Sequence, residues 1–522
     1  MTVLLVAAAA LAASSPPLAD LRVTNGSAPF AGDRRLLTTV SPNRDGFRDR
    51  AIVHFRLVQP ARVRLEVVAT NMIRAGRGGT SVIWSRERRF AAGRGELAWR
   101  PAPATQPRTY ILRLTVGNRV YGAYGPNGRQ NAPVVRVQGI DAGFTRRSYA
   151  PGESAELRLA TDARSLRLQV FAYQSPGRPS EQDVKTSGLA KTGAIRVDWS
   201  GHHDRAGLLR VVRAGDWPSG LYFLRAKAGD GRVGYAPFIV RPRRLGTSRV
   251  AVVLSTNTWA AYNFADADGD GWGDSWYVTG RHHSVDLGRP FLDFGVPFRF
   301  HDWDLDFIAW LNRSDRQVDF LSDDDLAAMP SGDELADRYD LVVFPGHEEY
   351  VTRHEYDVVE RFRDVGGNLA FLAANNLYRR VDRVGQRLVR RALWRKLGRP
   401  ESGLVGVQYV GSDQGQRQAG YIVLGAAAVP WAFEGTGLAD GDVFGRYGIE
   451  VDARTPASPS GIKVLAHIPD LLGPGRTAEM TYYETPAGAK VFAAGSLNFS
   501  ASLGRPEVER LLANVWARLS TP

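Results

Sequence analysis

In the front half of the chain hydrophobic residues alternate with polar ones. In the back half they fall in short solid runs. Ala51, Val53, Phe55 and Leu57 alternate with polar neighbours, as do Val63, Leu65 and Val67, then Tyr110, Leu112 and Leu114, and Trp99 closes a similar run. A period of two predicts half-buried strands. Pro42, Asn43, Asp45 and Gly46 form a turn ahead of the first run. The same alternation returns in Leu157 and Leu159, then in Leu166, Leu168 and Val170. No helical period interrupts either stretch, so two successive all-β sandwiches are expected, over 27–138 and 139–242.

Past a Pro- and Arg-bearing linker, Arg241 to Ser248, the pattern changes. Val250 to Leu254 and Leu341 to Phe344 are unbroken apolar runs, as in parallel strands covered on both faces. Phe307, Ile308, Trp310 and Leu311 suggest a helix, and Val318 to Leu321 another strand. Strands alternating with helices predict an α/β domain over 246–522. Its organising unit runs from Tyr339 to Tyr378. The strand Leu341–Phe344 ends at Pro345-Gly346, and Thr352 with Glu355 forms a capping box. Tyr356, Val359, Phe362 and Val365 give an apolar helical face, Gly366-Gly367 ends the helix, and Leu369 to Ala374 is the next strand. Such βαβ units carry polar loop residues at the carboxyl edge of the sheet, where ligands bind.

Composition narrows the chemistry. With 522 residues, two to four domains are expected. The absence of cysteine excludes disulfides, thiolate zinc sites and a cysteine nucleophile. The net charge of +13 comes mostly from scattered arginines, which reads as a basic solvated surface and not as a specific nucleic-acid site. Met1 to Ala13 is almost wholly apolar, with Ala10-Leu11-Ala12 as a small-residue cleavage pattern. A signal-like leader over 1–20, export and a secreted or envelope location are expected. That segment is too short to span a bilayer, and no later stretch reads as transmembrane.

Four constellations carry candidate chemistry. Ser255 to Asn263 follows the first α/β strand and offers Asn257, Trp259 and Asn263 to a ligand; Asn375 and Asn376 stand at a second strand end. Asp266, Asp268, Asp270 and Asp274, with Gly271 at the sixth place, follow a calcium-loop spacing, although Tyr277 stands where a bidentate glutamate is usual. His347, Glu348, Glu349 and Tyr350 bring a base and hard oxygen ligands to a strand end. Glu434 lies between bulky apolar residues and Gly435.

Two resemblances add to this. Ser41-Pro42-Asn43, Asp45-Gly46 and Asp49 resemble the Ig-like modules of the flagellar hook-capping protein, and Val197 to Gly201 with Pro218 to Leu224 resembles their closing hairpins. Such modules place a partner domain on a surface or polymer. Thr256-Asn-Thr-Trp, Tyr262-Asn263, Arg289-Pro290, Trp303 to Leu311, Val318 to Leu326, Gly346 to Tyr350, Gly366 to Leu372, Asn375 to Arg379, Phe433-Glu434-Gly435 and Gly495 to Phe499 resemble the C-terminal domain of the N,N-dimethylformamidase large subunit and its relatives. That resemblance implies a core similar to the class I glutamine amidotransferases. It also implies a mononuclear iron held by two tyrosines and one glutamate. Tyr350 and Glu434 are the matching positions, with Tyr262 standing for the second tyrosine. The implied activity is hydrolysis of an amide C–N bond in a small-molecule or polymer-linked substrate, with His347 or Glu348 moving the proton. The other readings are an envelope binding protein that keeps the fold without the metal, and a carbohydrate-active protein.

Overall fold

The computed structural model describes residues 17–71, 79–122, 131–173, 188–277, 282–291 and 297–521. The apolar segment Met1 to Ala13 lies outside them, but the strand Leu18–Thr24 begins inside the span expected for the leader and pairs with Ala51–Leu57. The chain divides into two units, one up to Gln138 together with Gly269–Gly271, the other the chain from Gly139 onward without those three residues. Strands dominate both.

In the first unit, Leu18–Thr24, Ala51–Leu57 and Gly93–Trp99 form one sheet. Leu37–Val40, Val134–Val137, Arg108–Val116, Ala61–Asn71 and Gly79–Phe90 form the other. The alternating residues of both sheets meet in one core: Val53, Phe55 and Leu57 with Val63, Leu65, Val67, Leu112 and Leu114. Asp45 and Asp49 serve the turn before the second strand of the first sheet. The Asp49 carboxylate accepts the backbone N–H groups of Arg44 and Gly46, and Asp45 accepts that of Phe47.

The second unit starts with two more sheets whose facing residues, among them Phe144, Leu157, Leu168, Trp199 and Phe238, enclose a core. The outer face of one of these sheets is also apolar. Phe171, Phe223, Tyr235 and Ile239 join one hydrophobic cluster with Val252, Leu254, Phe307, Ile308, Val343 and Phe492. The second β region and the domain after it therefore share a core.

That domain is built on a nine-stranded sheet. Its order is Asp319–Ser322, Val250–Leu254, Leu341–Phe344, Asn368–Phe371, Lys490–Ala493, Ala478–Glu484, Lys463–Ile468, Gln418–Val423, Val443–Gly448. The first five strands are parallel and the remaining pairings antiparallel. The sequence pattern predicts alternating helices and strands throughout, and this holds only for the parallel half. Between Arg379 and Glu484 the chain is mostly strands joined by glycine-bearing turns. The helix Arg353–Asp364 has the expected capping box: the Thr352 side chain accepts from the Glu355 N–H and Glu355 accepts from the Thr352 N–H. It buries Tyr356, Val359 and Phe362.

Gly495 follows the central strand at φ +68°, and a Cβ there would lie 2.0 Å from the Glu479 carbonyl oxygen. Left-handed backbone and a clash with main chain both oppose any side chain. Gly495→Ala is expected to destabilise the second unit by at least ~2 kcal/mol, seen as a lower calorimetric Tm; an unchanged Tm would contradict this.

Candidate functional site

Three parallel strands deliver their following loops to one place. Leu254 leads into Ser255 to Asn263, Phe344 into Pro345 to Tyr350, and Phe371 into Leu372 to Asn376. A fourth segment, Ile449-Glu450, comes from the antiparallel side. Ile449 is held at φ +68°, and Asn375 and Leu377 at +58° and +54°. Positive φ is costly for a β-branched or γ-branched residue, and such strain gathers where geometry is over-determined.

The structure brings Tyr262, His347, Glu349, Tyr350, Asn375 and Glu450 together, all buried. Glu349 is the hub. Tyr262 donates its hydroxyl to Glu349 Oε2, and the Tyr350 hydroxyl engages the same carboxyl. The two tyrosine rings stand edge to face at 5.9 Å. His347 Nε2 lies 3.8 Å from Glu349 Oε2 and 3.5 Å from Glu450 Oε2. Asn375 Nδ2 donates to Glu450 Oε2 at 2.9 Å, and its backbone N–H donates to the Asp452 carboxylate. Trp303 packs edge-on against His347 at 5.1 Å, and Trp276 against Tyr350 at 4.9 Å.

Burial sets the proton inventory. It pushes the Glu349 carboxyl up to about 7, partly offset by the hydrogen bonds from the two phenols. Burial, then the neighbouring Glu349 charge, raises Glu450 well above the carboxylate range and both tyrosines well above 10. Burial holds His347 down to about 3. Its imidazole is therefore neutral at ordinary pH, and its contacts with the carboxyls are not ion pairs. Neither His347 nitrogen has a hydrogen-bond partner among the described residues. A donor set of two phenols, two carboxyls and a neutral imidazole, out of water and mutually repulsive when ionised, is suited to a hard or borderline cation.

Glu348 faces elsewhere. Its carboxyl meets Asp323, Ser255 and Glu355 in a second buried acidic group. Asp323 accepts from the Asn257 backbone N–H and from Thr256 Oγ1, and Asn257 Nδ2 donates to Glu355 Oε1 at 3.3 Å. Burial pushes Asp323 up to about 7 and Glu355 to about 8, with the Asp323 charge adding to Glu355.

Residues 190–510 match the family described as N,N-dimethylformamidase beta subunit-like, C-terminal. The chain belongs to this family. The match begins inside the second β region, which shares its core with the nine-stranded sheet. No curated protein matches. Among solved structures, trypsin-activated α-2-macroglobulin from Escherichia coli is similar at 11% identity and a TM-score of 0.23, covering 42% of this chain and 16% of that one. The Yersinia pseudotuberculosis adhesin InvE is similar at 12% and 0.15, covering 43% and 60%. Likenesses this slight assign no fold.

Against the family pattern, Tyr350 and Tyr262 lie together and Glu434 does not join them. Glu434 is exposed at the end of the helix Pro430–Phe433, where its carbonyl accepts from Asn514 Nδ2. The carboxyls beside the tyrosines are Glu349 and Glu450. Of the residues expected to meet substrate, Asn375 alone touches this cluster. Trp259 donates its indole N–H to Asp304 at 3.3 Å. Asn263 binds the Arg289 and Pro290 carbonyls, and Asn376 binds the Ala373 carbonyl. No local signal separates Glu349 from Glu348: they are neighbours in the loop before the strand Tyr350–Val351, and packing sends them to different groups. Glu450 carries no local signal, because only the long-range turn at Ile449 brings it here.

Acidic groups elsewhere could also hold a metal ion. Asp268, Asp274 and His282 offer ligand atoms within 4.8 Å of one another. Asp266 is half-buried, and Asp270 is buried within Gly269–Gly271. Among the described residues no helix is long and apolar enough to cross a membrane.

Proposed function

We propose that the chain is a metal-dependent hydrolase of amide C–N bonds, with Tyr262, Tyr350 and Glu349 as the iron-holding residues. The observation that carries this reading is the convergence of two phenol oxygens on one buried carboxyl in a member of the dimethylformamidase-like family. The donor set fits iron. All three are hard oxygen donors, and the unpartnered buried imidazole beside them marks a place for a further polar group. The chemistry that iron supplies when bound there is Lewis-acid polarisation of an amide carbonyl and acidification of water. Glu450, kept protonated by burial and oriented by Asn375, gives a proton to the departing amine and recovers one from the attacking water. The neutral His347, facing Glu450, positions that water. The rings of Trp276, Trp303 and Tyr277 exclude bulk water, which strengthens every charge interaction inside. The β regions in front are read as Ig-like modules that hold the domain against a surface or polymer outside the cell.

Elemental analysis of the purified, unchelated protein tests this, together with its visible spectrum. Iron near one equivalent is expected, with a tyrosinate-to-iron band that weakens and shifts in Tyr350→Phe, and hydrolysis of at least one compound in an amide panel. Protein without iron after reconstitution would sink the reading and leave a binding protein that keeps the fold.

A further inference from the structure

We propose a second, separate metal site: a zinc-class divalent ion held by Asp274, His282 and Asp268. The ligand atoms of the three residues lie within 4.8 Å of one another. Asp274 is 7% exposed, and its two oxygens are used differently. Oδ2 accepts the Ala267 N–H at 3.0 Å and stands 3.8 Å from Arg289 Nη1. Oδ1 is buried, accepts no hydrogen bond among the described residues, and faces His282 Nε2 at 3.3 Å. A nitrogen and an oxygen so close, yet unaligned for a hydrogen bond, are placed as two ligands of one ion. With metal–nitrogen and metal–oxygen distances of about 2.0–2.2 Å, the edge of a tetrahedral site is about 3.3–3.6 Å. The aspartate spacing alone suggests calcium, but calcium takes oxygen ligands, and an imidazole in the set favours a borderline ion. Two carboxylates and one imidazole leave a tetrahedral ion one open position.

The position gives such an ion a purpose. Trp276 and Tyr277 directly follow Ser275, and their rings pack at 4.9 Å on Tyr350 and at 5.0 Å on Tyr262. An ion joining Asp274 to His282 pins the segment that forms this wall of the candidate site. This does not depend on iron at the tyrosines.

The test uses the full-length protein, stripped with a chelator and titrated with Co²⁺ in place of zinc. A tetrahedral cobalt absorption is expected that persists in Tyr350→Phe, while His282→Gln binds at least tenfold more weakly. Equal cobalt binding and an unchanged spectrum in His282→Gln overturn the proposal. So does displacement of cobalt by calcium at comparable concentration, which assigns the site to an oxygen-only ion. Crystals of the wild-type protein soaked in zinc give a check that needs no variant. Anomalous density between Asp274 and His282 supports the site, and its absence there overturns it.

Discussion

Glu349→Gln is expected to lower kcat/KM for amide hydrolysis by roughly 10³-fold, about 4 kcal/mol of transition-state stabilisation, and to strip the protein of iron. The substitution keeps the shape and removes the charge. Glutamine can still accept from one phenol through its carbonyl, but its NH₂ then faces the second phenol or the imidazole where the carboxyl oxygen stood. With no anion at the hub, the two tyrosines lose what makes them a joint cation site. Glu434→Gln, at an exposed helix end, is expected to leave both readouts unchanged. The pair of variants separates the two candidate glutamates. If Glu434→Gln loses iron and Glu349→Gln keeps it, the assignment of the hub is wrong.

The sequence carried the strands and the loops of this site better than the directions of its side chains. Alternation marked Val53 to Leu57 and Val63 to Val67 because those strands have one face in a core and the other toward water. The strand Leu341–Phe344 and the capped helix Arg353–Asp364 were legible because local rules decide them: a buried run, a turn at Pro345-Gly346, and a Thr–Glu capping box. Tyr350 and His347 were legible as a motif at a strand end. That motif names Glu348 and Glu349 together, and only the packing of their loop sends Glu349 to the tyrosines and Glu348 to Asp323.

What stayed illegible depends on contacts distant in sequence. Glu450 reaches the site only because Ile449 takes a left-handed conformation that β-branched residues avoid. The antiparallel half of the large sheet was hidden for a related reason. Its strands are short and mix apolar residues with arginine, tyrosine and glycine, and Gln418–Val423 takes Lys463–Ile468 as a partner across a long separation, so no single window shows a clean period. The second β region looked self-contained because its inner face alone satisfies the alternation rule. Phe171, Phe223 and Tyr235 on the outer face looked like ordinary strand aromatics, yet they belong to the neighbouring core.

The second acidic group gives the other large effect, and it is one of stability. In chelator-treated protein, Asp323→Asn is expected to be more stable than wild type at pH 8 and to show no such advantage at pH 4. The folded chain holds Asp323 near 7 and Glu355 near 8, against ordinary values of 3.8 and 4.5, because burial disfavours both ionised forms and the Asp323 charge adds to the effect on Glu355. Raised folded values mean that the native state binds more protons than the unfolded chain between about pH 4 and pH 8, so wild-type stability falls as pH rises through that window. For Asp323 alone the loss is on the order of 4 kcal/mol once the pH exceeds its folded value. Asparagine removes that cost. Its carbonyl oxygen can still accept from Asn257 and Thr256, and its NH₂ occupies the place of Asp323 Oδ1, which has no hydrogen-bond partner among the described residues. From there it can donate to the carbonyl oxygen of the Glu348 carboxyl group, which burial keeps protonated. Urea unfolding of both proteins at pH 4 and pH 8 measures the difference directly. Parallel stability curves at the two pH values would mean that Asp323 holds no excess proton in the folded chain, and the buried group would then be neutralised by something other than protonation.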